Sequence, residues 1–162
     1  MFRLLLGIWS GAIFCALILF SFYDWNVIMG PSMKPTLEPE NIILIKRNPR
    51  HIQRGDIVSF QIKEKDVPYI KRVVAMEGDR VEGRNHQLYV NGRSVQKNVS
   101  AFSALVVPKD HVFLMGDNAD QSIDSRDFGP VSIQSVSDQA VAIIWPLSKV
   151  GLFNSKRAPF EK

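Results

Sequence analysis

Ser32 stands in M-G-P-S-M-K-P-T-L, residues 29–37, fenced by Gly30, Pro31 and Pro35. Neither a helix nor a strand interior tolerates that much punctuation, so the segment reads as a rigid turn presenting a hydroxyl. A serine hydroxyl becomes a nucleophile only when something removes its proton. Histidine is the usual partner, but His51, His86 and His111 each stand alone, and none has a metal-ligand spacing. His111 begins an expected strand and reads as a half-exposed strand-end residue. Lysine is the other route. Lys71 lies in V-P-Y-I-K-R-V-V-A-M, an otherwise apolar run. An ordinary lysine titrates near 10.4, so its neutral form at pH 7 costs roughly 4–5 kcal/mol. Burial among apolar groups lowers that pKa and makes the amine a usable general base. Strand alternation puts Tyr69, Lys71 and Val73 on one face and Ile70, Arg72 and Val74 on the other. One of the two adjacent cations must therefore point inward or lie along a sheet edge.

These groups need a scaffold and an address. Of the 162 residues, Leu4 to Tyr23 contain no charge: LLLGIWSGAIFCALILFSFY. Twenty residues at about 1.5 Å each span roughly 30 Å, the thickness of a bilayer's hydrocarbon core. Tyr23 and Trp25 fall where aromatic rings favour the far interface. A cleavable signal peptide would be shorter and would end in a small-x-small site, which SFYDWNV lacks. A buried soluble helix would have to be apolar on every face. The expectation is a retained anchor over residues 1–25 and one extracytoplasmic domain over 26–162. Arg3 and the terminal amine precede the anchor and Asp24 follows it, which keeps the N-terminus cytoplasmic.

Beyond Asn41 the chain is a series of short β-branched and aromatic runs: NIILIKR, DIVSFQI, YIKRVVAM, QLYVNGRSV, HVFLMGD and QAVAIIW. Asn48-Pro49, Arg54-Gly55-Asp56, Glu77-Gly78-Asp79, Asn91-Gly92 and Gly116-Asp117-Asn118 separate them. Asn91-Gly92 suits a type I′ hairpin turn. The fold class is mostly β: a compact antiparallel sheet or barrel-like domain behind one N-terminal transmembrane helix. The last residues mix Leu152, Phe153 and Phe160 with Lys156, Arg157 and Lys162, a pattern that suits either a segment resting on a membrane surface or, the favoured reading, a frayed terminus. Net charge is +4 with the basic residues scattered, which argues against nucleic acid as a partner. Cys15, the one cysteine, lies inside the apolar run, so neither an intramolecular disulfide nor thiol or metal chemistry is built on it. No metal and no cofactor is expected.

Four segments in series carry a resemblance. GPSMKPTL (30–37), RGDIVSF (54–60), YIKRVVAMEGD (69–79) and MGDNADQSIDSRDFGPV (115–131) closely resemble the sequence boxes of type I signal peptidases, the membrane-bound Ser-Lys leader peptidases. The resemblance implies a serine endopeptidase that removes signal peptides from exported preproteins after small-x-small sites, at the bacterial inner membrane. Preproteins and the bilayer would be its partners. It makes Ser32 the nucleophile and Lys71 the general base, then the acid for the leaving amine. Ser122 would bond and orient the lysine, with Asp124 and Arg126 as a supporting ion pair. Asp56 and Asp117 read as turn carboxylates bonding local amides.

The oxyanion region would comprise Gly30 and Ser32, with the Ser32 N–H as a donor. Many relatives carry a serine where this chain has Gly30, and an arginine where it has Ala119. Only about forty residues separate Lys71 from Met115, so the second domain of larger relatives cannot fit. Ile28, Met33, Leu37, Tyr69 and Ile70 are candidates for pockets that admit only small side chains, with the substrate extended along a strand edge. The short chain and Gly30 leave room for a dedicated peptidase of the same family, processing conjugative pilins or serving an organelle inner membrane. A soluble self-cleaving Ser-Lys repressor would need a helix-turn-helix where the apolar run stands. A non-enzymatic anchored binding domain would leave the four boxes without a purpose.

Overall fold

The computed structural model describes residues 21–62 and 68–153. The expected anchor, apart from residues 21–25, and the tail beyond Phe153 lie outside these residues. Among the described residues no helix is long and apolar enough to cross a membrane.

The described residues form twelve strands: β1 Tyr23–Val27, β2 Ile42–Arg47, β3 Ile57–Phe60, β4 Tyr69–Met76, β5 Arg80–Arg84, β6 Gln87–Val90, β7 Arg93–Lys97, β8 Phe102–Val106, β9 His111–Met115, β10 Val131–Ser132, β11 Val136–Trp145 and β12 Gly151–Leu152. A single helical turn, α1, covers Ser125–Phe128. The large sheet runs β1-β2-β11-β3-β4-β9-β10, with β12 paired to β11; the small sheet runs β7-β6-β5-β8. Every pairing is antiparallel. The mostly-β expectation holds, and each of the six runs read from sequence contains a strand.

The patterning explains the layers. In β2, Ile43 and Ile45 are buried while Ile42 and Leu44 are half-exposed, the alternation of a strand with one core face. Central β4 is buried almost throughout and reads as a continuous apolar run. Its alternate residues feed separate clusters. Tyr69 and Val73 pack with Phe60, Val112 and Leu114. Ile70 packs against Ile28, Met33, Leu37 and Ile43. Val74 packs with Leu88, Phe113 and Met115 beneath the small sheet. The β6–β7 hairpin turns at Asn91 (φ 51°) and Gly92 (φ 79°), both left-handed, as a type I′ turn requires.

Residues 23–25, read from sequence as the end of the anchor, form the first half of β1. Tyr23 lies opposite Lys46 and Trp25 opposite Leu44. Both adjacent cations of β4 are buried, Lys71 at 4% and Arg72 at 5% exposure, where the sequence required only one to be. Each has found polar partners.

Candidate active site

The Ser32 turn is held from below by its own neighbours. Met33 and Leu37, four residues apart, are both buried in the cluster with Ile43. Lys34 N–H donates to Pro31 O at 3.1 Å and Leu37 N–H to Met33 O at 2.9 Å. From the other side comes the loop after β9. Asn118 donates its backbone N–H to Ser32 O at 3.0 Å and its side-chain amide to Pro31 O at 3.2 Å. This approach requires glycine at 116: a Cβ there would come within 2.5 Å of Ser32 O and 2.4 Å of Ser122 Oγ.

Lys71 reaches this turn from β4. Its Nζ donates to Ser32 Oγ at 2.8 Å and to Ile70 O at 3.0 Å. Burial pushes its pKa down from the usual 10.5 to about 8, against the upward pull of the Asp124 and Asp117 carboxylates. Tyr69 presents its ring 5.6 Å from the same nitrogen. Among the described residues no histidine lines the cleft over Ser32 and Lys71. His111 Nδ1 instead sits 2.7 Å from Lys109 O at the strand start.

Asp124 and Arg126 form the ion pair that the resemblance implied. Arg126 Nε donates to Asp124 Oδ1 at 2.8 Å and Nη2 to Oδ2 at 3.0 Å, with Asp124 fully buried. Asp124 also caps α1 and accepts the Gly116 N–H at 3.1 Å. Arg126 Nη2 closes the loop through Ala119 O at 2.7 Å and Ser122 O at 3.1 Å. Ser122 differs from expectation. Its hydroxyl is not bonded to Lys71; Oγ is buried and, among the described residues, has no partner. It rests instead against Gly116. Ala119 packs into the cluster beneath the small sheet, so the position where the resemblance led to an expected arginine is here part of the core.

Asp56 behaves as a turn residue, accepting the Gln53 N–H at 2.9 Å. Asp117 does not. It takes both Arg72 Nε and Nη2 at 2.7 Å, in a pair less than one-tenth exposed on either side. Arg72 also donates to Gly55 O at 2.8 Å and Thr36 Oγ1 at 3.3 Å. It thereby ties the Ser32 turn, the loop before β3 and the loop after β9 into one unit. Sequence reasoning missed this residue. The signal was there: two adjacent cations in a strand otherwise fit only for a core.

A cleft of about 450 Å³ opens over Ser32 and Lys71. Residues 26–30 form one wall and residues 68–71 the other, with Gln121 and Ile123 at the rim. Of the pocket candidates, Ile28, Met33, Tyr69 and Ile70 line it. Leu37 does not: it is fully buried beneath the turn, where it supports Met33 rather than facing a ligand. Gly30 lies in the wall, and a Cβ added there would meet nothing within 4 Å. Strand β1 ends the large sheet, so among the described residues its second edge is unpaired.

Residues 1–145 match the family model described as signal peptidase, peptidase S26. Signal peptidase I P of Bacillus subtilis subsp. natto is 33% identical over 136 residues, covering 72% of this chain and 73% of that protein. Mitochondrial inner membrane protease subunit 1 of Xenopus tropicalis is 35% identical over 134 residues, covering 77% of this chain and 71% of that one. A solved signal peptidase I from Enterococcus faecalis is 30% identical and covers 54% of this chain and 94% of its own, with a TM-score of 0.48. The chain belongs to the signal peptidase family, peptidase S26, and is a peptide-bond hydrolase of the signal peptidase I type.

Proposed function

We propose that this peptidase is a membrane-anchored Ser-Lys endopeptidase that removes signal peptides from exported preproteins after small-x-small sites. The observation that carries the reading is the 2.8 Å contact between Ser32 Oγ and an amine whose pKa lies near 8. With the amine neutral, its lone pair takes the hydroxyl proton as Oγ attacks the scissile carbonyl. The resulting ammonium returns that proton to the leaving amine. Water then attacks the acyl-enzyme by the same route and releases Ser32. The Ser32 N–H serves the oxyanion, and Gly30 adds no side-chain donor. The Asp124–Arg126 pair holds the loop that backs the turn. In this reading the Ser122 hydroxyl, unpartnered among the described residues, accepts a hydrogen bond from the lysine once it becomes charged.

The apolar face of the large sheet supports work at a bilayer. Trp25 lies beside Leu44, Leu44 beside Ala142 and Ala142 beside Leu152, across β1, β2, β11 and β12. Trp25, Trp145, Leu147 and Leu152 are each more than half exposed on or next to this face. Unpartnered apolar surface with tryptophans suits a membrane interface. The reading places the N-terminus in the cytoplasm, the expected anchor in the inner membrane and the domain on the extracytoplasmic side.

The test uses the purified full chain in detergent or liposomes. A secretory preprotein with an Ala-x-Ala site is incubated with the parent and with Ser32→Ala, and products are read by mass spectrometry. One cut after the second alanine, absent with the variant, is expected. Cleavage that persists in Ser32→Ala sinks the mechanism. A second reading, a dedicated peptidase in an organelle inner membrane or in pilin processing, draws on the 35% identity to the mitochondrial subunit. Rescue of a strain depleted of its own leader peptidase separates the two. Failure to rescue with correct insertion favours the dedicated role.

A further inference from the structure

One residue of the cleft is out of keeping with its neighbours. Asn26 lies opposite Ile43 in the β1–β2 pairing, two positions before Ile28. Side chains two apart on an extended segment share a face. Ile28 and Ile43 are both buried in the cluster under the Ser32 turn. Asn26 therefore occupies the core-facing side of β1, half-buried, at the point where that side opens into the cleft. Its amide has no hydrogen-bond partner among the described residues. In the open cleft water can serve it. A bound peptide would displace that water and leave a carbonyl and an NH₂ desolvated together, which is unfavourable unless the peptide replaces the lost bonds.

We propose that Asn26 makes this enzyme select a short hydrogen-bonding side chain, such as serine, threonine or asparagine, at the outer small position of the cleavage site. The inference rests on the signal-peptide reading above and narrows its substrate class. The geometry is that of two matched repeats. Ile28 and Met33 adjoin Ser32 and receive the residue at the cut. An extended peptide presents its next side chain on the same face about 7 Å further along, as β1 does from Ile28 back to Asn26. The residue two before the one at the cut, the outer small position, thus faces the amide. Tyr69 and Ile70 form the opposite wall, and Gln121, the other amide of the cleft, already accepts from the Asn118 amide at 3.1 Å. A cleft built to hydrogen-bond a hydroxyl rejects the isosteric methyl, because the amide is then buried unpaired.

The experiment compares two signal-peptide substrates identical except for threonine or valine at the outer small position, two residues before the one at the cut. On the parent full chain in micelles the ratio of kcat/KM is read. On Ser32→Ala the ratio of Kd is read by fluorescence anisotropy, so that binding is scored without turnover. Threonine is expected to be favoured roughly three- to tenfold in both measurements, the worth of one partly exposed hydrogen bond. Asn26→Leu, close in shape, is expected to reverse the preference. Because each ratio is taken on one enzyme sample, loss of folded fraction cancels. Equal or better use of valine by the parent overturns the inference, as does an unchanged ratio in Asn26→Leu. A threonine preference in binding without cleavage supports the inference and counts instead against the proposed chemistry. Binding of neither peptide refutes both.

Discussion

Lys71→Met should make the protein inactive and, at neutral pH, more stable. The lysine is 4% exposed, and its pKa falls from 10.5 to about 8 on folding. Between those values the unfolded chain binds a proton that the folded chain does not, so this group makes stability rise with pH across the window. The contribution is fully unfavourable below about pH 8 and gone above about pH 10.5. A shift of about 2.5 units corresponds to about 3 kcal/mol. Losing the contact to Ser32 Oγ offsets about 1 kcal/mol of this, leaving a net gain of about 2 kcal/mol for an uncharged side chain of similar length. In a domain of this size that is roughly 4–8 °C in Tm at pH 7. The assay is paired thermal unfolding of parent and variant from pH 7 to 10.5, set beside kcat/KM of the parent over the same range. The Tm difference should shrink as pH rises. The rate should climb about tenfold per unit below pH 8 and level above it, since only about a tenth of the amine is neutral at pH 7. A variant less stable than the parent at pH 7, or a Tm difference that ignores pH, would refute the claim that burial depresses this lysine. A rate already level from pH 7 upward would instead assign the base to a group that titrates lower, such as a histidine.

Three further outcomes follow from the same geometry. Asp117→Asn strips half of the buried Arg72 pair and should cost about 3–5 kcal/mol in denaturant unfolding, against under 1 for an exposed carboxylate such as Asp120. Gly30→Ser should be tolerated, since that position is open and its φ is not left-handed. It should raise kcat several-fold with KM little changed, and an unchanged kcat would mean that the added hydroxyl does not reach the oxyanion. Gln96 of β7 donates to Gly116 O at 2.9 Å and Asp117 O at 3.3 Å, so Gln96→Glu, which turns a donor into an acceptor facing two carbonyls, should lower kcat well beyond Gln96→Lys, which keeps a donor. Equal losses in the two variants would assign the effect to packing.

How much of this could be read beforehand depended on how locally each feature is specified. The strands rich in isoleucine, valine and phenylalanine were legible because burial selects those residues in place. β5 was not: Arg80 and Arg84 bracket Val81 and Gly83, and the Phe102 ring and the Ser100 carbonyl, both packed over Gly83, explain why a glycine sits in a strand. β8 was hidden because its residues are mostly half-exposed or exposed. β1 was masked by the apolar run it continues. At the site, the Ser32 turn and the misplaced cation of β4 were visible as local anomalies. The partner of Arg72 was not, because Asp117 lies 45 residues away in a loop whose glycine and asparagine already account for a carboxylate. Leu37 misled for a related reason: four residues from Met33 in the same turn, it looks like a second pocket wall until the core is seen behind it.

The position of β1 gives the site a fixed stand-off. Tyr23 opens the strand and Ser32 follows nine residues later, a contour of at most about 30 Å. Because β1 is paired along its length to β2, that stretch is a strut rather than a slack cord. On the proposed anchoring of the apolar run in a bilayer, the hydroxyl would be held near one height above the lipid. The enzyme would then read its substrates by elevation as well as by side chain. A suitable small-x-small site carried too far from the membrane on a long spacer would pass overhead uncut.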